Sequence, residues 1–122
     1  MAVANGNEPF SAAALAVSND ANREFVCSPF TRLEVLPMAQ RAQNAAELSL
    51  YAAYFAKAAE YPLIESVLTL AIDECRTHFT GAIDALHVAT AAHARVDEFV
   101  TTERETKPIN RTTLVKVISL SP

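Results

Sequence analysis

The sequence predicts an α/β fold with a parallel sheet flanked by helices. Three observations carry that expectation. Short apolar runs at Glu24–Cys27, Glu98–Thr101 and Val115–Leu120 have the length and composition of strands. Long stretches of helical periodicity lie between the first run and the second, the order that builds parallel sheets with helical crossovers. The chain has 122 residues, enough for one domain and too few for two of ordinary size, so residues 1–122 are expected to form a single domain.

Each element has a local reason. Glu8 to Ser18 reads as a short amphipathic helix, with Pro9 near its start and Phe10, Ala14 and Val17 at helical spacing. Asn19 to Asn22 is turn-like and leads into the strand Glu24–Cys27. Ser28 is a good N-cap, and Pro29 suits a first helical position, so a helix should follow through Phe30, Leu33, Glu34 and Leu36. Pro37 should kink or interrupt it. Asn44 to Ala59 is the longest clean helical pattern, ended by Tyr61-Pro62. Ile64 to Phe79 carries the next, and Thr80-Gly81 breaks it, with Thr80 able to cap the next helix. Ala82 to Ala94 is that helix, alanine-rich and with one face almost wholly apolar. Arg95 to Asp97 turns the chain into the strand Glu98–Thr101. Thr102 to Thr113 is a polar loop before the last strand. The chain also opens unusually for such a fold, because Met1-Ala-Val-Ala is short for a strand and helix comes almost at once.

Composition narrows the function classes. Hydrophobic residues make up 51% and charged residues 20%, as in a globular core. No apolar stretch approaches the ~20 residues of a membrane-spanning helix. The start has no basic segment followed by an apolar one, so the expected location is the cytoplasm. Cys27 and Cys75 belong to no CxxC pair or Cys/His cluster and read as buried free thiols. His78, His87 and His93 have no zinc-ligand spacing. With only Gly6 and Gly81, and with no G-x-S-x-G, the chain lacks a phosphate loop and a nucleophile elbow, which ranks a flavodoxin-like small-molecule enzyme last. The net charge of −4 argues against a general nucleic-acid coat protein. It leaves room for a nuclease, because a carboxylate metal site is itself acidic and the cation reverses its field.

Three acids stand where an open α/β sheet concentrates function, beyond the carboxyl ends of its strands. Glu34 lies in the helix after the first strand, Glu103 follows the strand Glu98–Thr101 by two residues, and Asp84 sits in the first turns of the helix after Gly81. Asp84 is flanked by Ala82-Ile83 and Ala85-Leu86, an apolar setting in which an acid needs a reason. The positive end of its helix dipole supplies part of one. Carboxylates gathered from distant points hold hard cations such as Mg²⁺ or Mn²⁺, and without a cation they repel and raise one another's pKa. His87, three residues after Asp84, shares its helical face; a packed core histidine is the plainer reading of it and an orienting neighbour the sharper one. Arg32, Arg104, Lys107 and Arg111 lie near these acids in sequence; a solvated surface is the plainer reading of them and RNA phosphate contacts the sharper one.

The stretch Gly81 to Ala92, GAIDALHVATAA, resembles the third-acid motif of the PIN domain family, the fold of metal-dependent ribonucleases such as VapC-type toxins. Asp97-Glu-Phe-Val-Thr-Thr-Glu103 is similar to that family's next motif, and Ser28-Pro-Phe-Thr-Arg-Leu-Glu34 to its second. The likeness runs from about Pro9 to Leu120. It implies a three-layer PIN-like fold and an Mg²⁺- or Mn²⁺-dependent ribonuclease whose catalytic and metal-site acids are Glu34, Asp84 and Glu103, with Arg32, Arg104 and Lys107 toward the RNA. It also implies a small antitoxin protein as partner, and homodimers. The sequence departs from the family at its start, where an apolar strand carrying an aspartate is expected. Asp20 falls after the first helix and Asn5 is only a weak metal donor, so the first strand is expected to be missing or degenerate. That departure keeps a second reading open: a catalytically degenerate PIN fold that serves only binding or protein interaction.

Overall fold

The computed structural model describes residue 13 and residues 16–121. Most of the expected helix over Glu8 to Ser18 therefore lies outside the described residues; residues 16–18 are helical. The chain continues through β1 (Val26–Cys27), α1 (Pro29–Arg41), α2 (Ala45–Lys57), β2 (Ala59–Glu60), α3 (Glu65–His78), α4 (Ala82–His93), β3 (Glu98–Thr101), a 3-10 turn (Pro108–Arg111) and β4 (Lys116–Ser119). The fold is mixed helix and strand, and its strands pair in parallel.

The single expected sheet is instead two parallel pairs among the described residues. β1 pairs with β2, Val26 facing Ala59 and Cys27 facing Glu60. β3 pairs with β4 over four residues, from Glu98 with Lys116 to Thr101 with Ser119. Short apolar runs establish that strands exist; they do not establish which edges meet. β2 was hidden from the sequence because it occupies the tail of the helical pattern that starts at Asn44. Tertiary hydrogen bonds decide it: the Ala59 N–H donates to the Phe25 carbonyl (2.8 Å) and the Tyr61 N–H to the Cys27 carbonyl (2.9 Å). An Arg23–Glu98 ion pair (3.3 Å) ties the amino-terminal approaches of the two pairs together.

Helix boundaries reflect capping chemistry. The Ser28 hydroxyl accepts the Phe30 N–H at 3.2 Å, and Pro29 opens α1 as expected. Pro37 does not interrupt α1, which runs on to Arg41. The bond it forgoes is to the Leu33 carbonyl, and both residues are exposed. α1 ends as Gln43 turns left-handed (φ 52°) and the Asn44 N–H reaches back to the Ala39 carbonyl (3.1 Å). Asn44 then caps α2 reciprocally with Glu47: its Oδ1 accepts the Glu47 N–H at 3.0 Å, and its Nδ2 donates to the Glu47 carboxylate at 3.1 Å. The other Glu47 oxygen accepts from the Tyr51 hydroxyl at 2.7 Å; Tyr51 is buried, and burial and this bond together push its phenol well above its ordinary pKa.

Thr80 does not cap α4. Gly81 occupies the N-cap without a side-chain bond, and the Thr80 hydroxyl is buried with no partner among the described residues. The reason lies one residue back, where Phe79 takes a left-handed conformation (φ 58°) and turns the chain sharply between α3 and α4.

The core is the contact between these two helices. Val67 and Ala71 of α3 meet Ala85 and Ala89 of α4, with Leu70, Cys75 and Leu86 packed around them. Alanine at three of the four central positions lets the backbones approach closely, and burying the Val67 side chain contributes about 1.5–3 kcal/mol. α4 also packs against α1 and β1, which is why Val88, Thr90 and Ala91 are buried as well. Of the two thiols, Cys27 is buried and Cys75 only partly so, a correction to the expectation for Cys75. No helix among the described residues is long and apolar enough to cross a membrane.

Candidate functional site

The carboxyl ends of β1 and β3 carry two of the three acids, and the start of α4 brings the third. β1 leads directly through Ser28 into α1, so Glu34 lies in the second turn of the helix that leaves the strand. β3 ends at Thr101, and in the tight turn after it the Glu103 N–H donates to the Thr101 hydroxyl (3.1 Å). Ser119, at the end of β4, donates its hydroxyl to the Glu103 carbonyl (2.6 Å). The backbone that presents the exposed Glu103 carboxylate is thus held from both sides. Thr101 does support this segment, as a strand-end threonine can; Thr102 is exposed and makes no side-chain hydrogen bond among the described residues.

Asp84 is half-buried in the first turn of α4, and its carboxylate has no hydrogen bond or ion pair among the described residues. Burial raises its pKa first, the negative charges of Glu103 and Glu34 raise it further, and His87 opposes them. The causes name the neighbourhood. Side chains 50 and 19 positions away in sequence act on one carboxyl, so Glu34 and Glu103 each lie within electrostatic reach of Asp84.

His87 is largely buried, as a packed histidine would be, and it also has polar partners. Its ring bridges two elements: Nδ1 lies 2.7 Å from the Ser28 hydroxyl, and Nε2 is in direct contact with the Glu34 carboxylate. Ser28 was legible as a cap, but nothing in its spacing signalled a partner 59 residues on. The chain of contacts ties the start of α1 to the second turn of α4, and so ties the element bearing Glu34 to the element bearing Asp84.

The basic candidates divide. Arg32 forms an ion pair with Glu60 (3.3 Å) and lies over the Phe55 ring at 4.1 Å, so its charge is already engaged. Arg104, Lys107 and Arg111 are exposed in the segment after β3, and their side chains make no ion pair among the described residues. His93 bonds to the Tyr61 hydroxyl (2.7 Å) and His78 lies 4.0 Å from Glu74. A cleft lined by Asp20, Arg23, Phe25, Val26 and Lys57 opens at the amino-terminal end of β1, the end opposite the acids. Among the described residues, no three His, Cys, Asp or Glu side chains converge tightly enough to make a ready cation cage. Compared with protein-family models, curated proteins and solved structures, the chain matches none.

Proposed function

We propose that this chain is a PIN-type ribonuclease domain that hydrolyses RNA phosphodiesters with Mg²⁺ or Mn²⁺ held by Glu34, Asp84 and Glu103. The observation that carries the reading is Asp84: a half-buried, unpartnered carboxylate whose pKa is raised by burial and by two other acids from distant parts of the chain. A fold tolerates that arrangement at a cost, and a cation removes the cost. Three carboxylates are also the hard oxygen donors that these two ions take, with waters completing the shell. Bound there, the ion would supply an acidified water and charge neutralisation at the scissile phosphate. The chain's own part is to present the acids from the ends of β1 and β3, and to offer Arg104 and Lys107 to the phosphates on either side.

The same reading treats the two strand pairs as the two sides of one parallel sheet, with a strand from a second copy of the chain filling the space between them. A small antitoxin protein covering the acids would be the inhibitory partner, and the cytoplasm the working compartment. The alternative is a degenerate PIN fold that binds RNA or protein without cleaving.

Cleavage of RNA by the purified chain in Mn²⁺, abolished by EDTA and by Asp84→Asn, is the expected result. A folded wild-type chain that retains RNA but never cuts it would replace the nuclease with the binding module. Equal cutting by wild type and variant would refute the role of Asp84.

A further inference from the structure

We propose that His87 is a positioning residue for Glu34, locked by the buried Ser28 hydroxyl in the tautomer that carries its proton on Nε2. The available protons decide the tautomer. Ser28 Oγ is buried and already accepts the Phe30 N–H. It has one proton of its own, and its second neighbour is His87 Nδ1 at 2.7 Å. If Nδ1 carried the imidazole proton, Oγ would accept two N–H groups and its own proton would be left in a buried place without an acceptor. Nε2 would then present a lone pair to the Glu34 carboxylate it touches, acceptor against acceptor. With the proton on Nε2 every group is satisfied: Phe30 N–H donates to Ser28 Oγ, Ser28 O–H donates to His87 Nδ1, and His87 Nε2–H donates to Glu34 Oε1.

The consequence falls on Glu34. Its side chain is 46% exposed and has no other hydrogen bond among the described residues. A lone glutamate on a helix surface samples many rotamers. This one is pinned at one oxygen by a ring that is itself 13% exposed and fixed from behind, and its second oxygen makes no hydrogen bond among the described residues. Because His87 and Asp84 are three apart on α4, the same ring sets Glu34 against Asp84's face of the helix. Ligating carboxylates are commonly held in this way by hydrogen bonds from a surrounding layer of side chains. The value of the relay for a cation rests on the metal-site reading above; the relay itself rests only on Ser28, His87 and Glu34.

The test separates the two. Long-range ¹H–¹⁵N correlations of the metal-free wild-type chain at pH 8 should show His87 protonated at Nε2 and unprotonated at Nδ1; a proton on Nδ1 overturns the proposal. Glu34 Hβ–Hγ couplings should report one rotamer in wild type and in His87→Gln, whose side-chain amide can still donate, and averaged rotamers in His87→Leu. An averaged Glu34 in wild type overturns the proposal even if neither variant folds. Mn²⁺ titrated by calorimetry should bind His87→Leu roughly tenfold more weakly than His87→Gln. If wild type binds no Mn²⁺ while both NMR results hold, the metal-site reading fails and the relay stands.

Discussion

Removing the Asp84 charge should reverse the order of stabilities depending on whether a cation is present. In the metal-free chain the Asp84 pKa is raised, by burial first, then by Glu103 and Glu34. The folded state therefore holds the Asp84 proton more tightly than the unfolded state does. Stability then falls as pH rises from the unfolded carboxylate value, ~3.9, through the raised folded value, and the full penalty is present at neutral pH. Asp84→Asn cannot ionise, so metal-free it should melt at or above wild type, and the gap should open as pH rises through that window. Adding cation acts only on wild type. At 100 times its dissociation constant a ligand that binds the folded state stabilises by about 2.7 kcal/mol. For 122 residues the unfolding entropy near the midpoint is about 0.26 kcal/mol/K, so each kcal/mol moves Tm by about 4 °C. Saturating Mn²⁺ should therefore raise wild-type Tm by about 10 °C and leave Asp84→Asn nearly unmoved. Thermal melts followed by circular dichroism, with Mn²⁺ or EDTA, read both effects. Equal Mn²⁺ shifts in the two proteins would place the ion elsewhere, and a metal-free variant clearly less stable than wild type would show that Asp84 is a structural acid.

Two further outcomes rest on local geometry. Phe79 is 80% exposed and left-handed, a conformation that costs a residue with a Cβ about 1–2 kcal/mol. Phe79→Gly recovers that and loses about 0.4–1 kcal/mol to unfolded-state entropy, so Tm should rise by up to about 6 °C, while Phe79→Val should lower it. Arg32→Ala should leave RNA affinity nearly unchanged, because Arg32 is already engaged by Glu60 and Phe55. Arg104→Ala and Lys107→Ala should each weaken binding and flatten its salt dependence by roughly one charge; filter binding across a salt series distinguishes them.

The parts of the fold that were legible from sequence are those fixed by neighbours in sequence. Ser28-Pro29 announces α1, Asn44 begins α2, and the apolar stretch from Ala82 announces a helix in the core, because a cap or a periodic face is written within a few residues. The features that escaped reading were settled by partners far away. β2 exists only because Phe25 and Cys27 offer carbonyls to Ala59 and Tyr61. Thr80 looks like a cap and is not one, because the left-handed Phe79 passes the N-cap position to Gly81. Pro37 carries a real local penalty, yet the helix runs through it to Arg41.

The candidate site divides along the same line. Its acids could be picked out singly, since each follows a strand end or opens a helix, and such positions are recognisable in sequence. Their relation could not, because Ser28 and His87 are 59 residues apart and each has a sufficient local explanation, one as a cap and the other as a core histidine. Those local explanations are compatible with the long-range one, and that is why they conceal it. A hydroxyl has two lone pairs and a proton; capping α1 uses one lone pair, which leaves the proton for His87. The same economy applies to the ring, since its position on α4 that favours burial also sets Nε2 against Glu34. A residue with an adequate local role is therefore where an unread site is most easily missed, and only the count of donors and acceptors, atom by atom, shows that the local role leaves a group to spare.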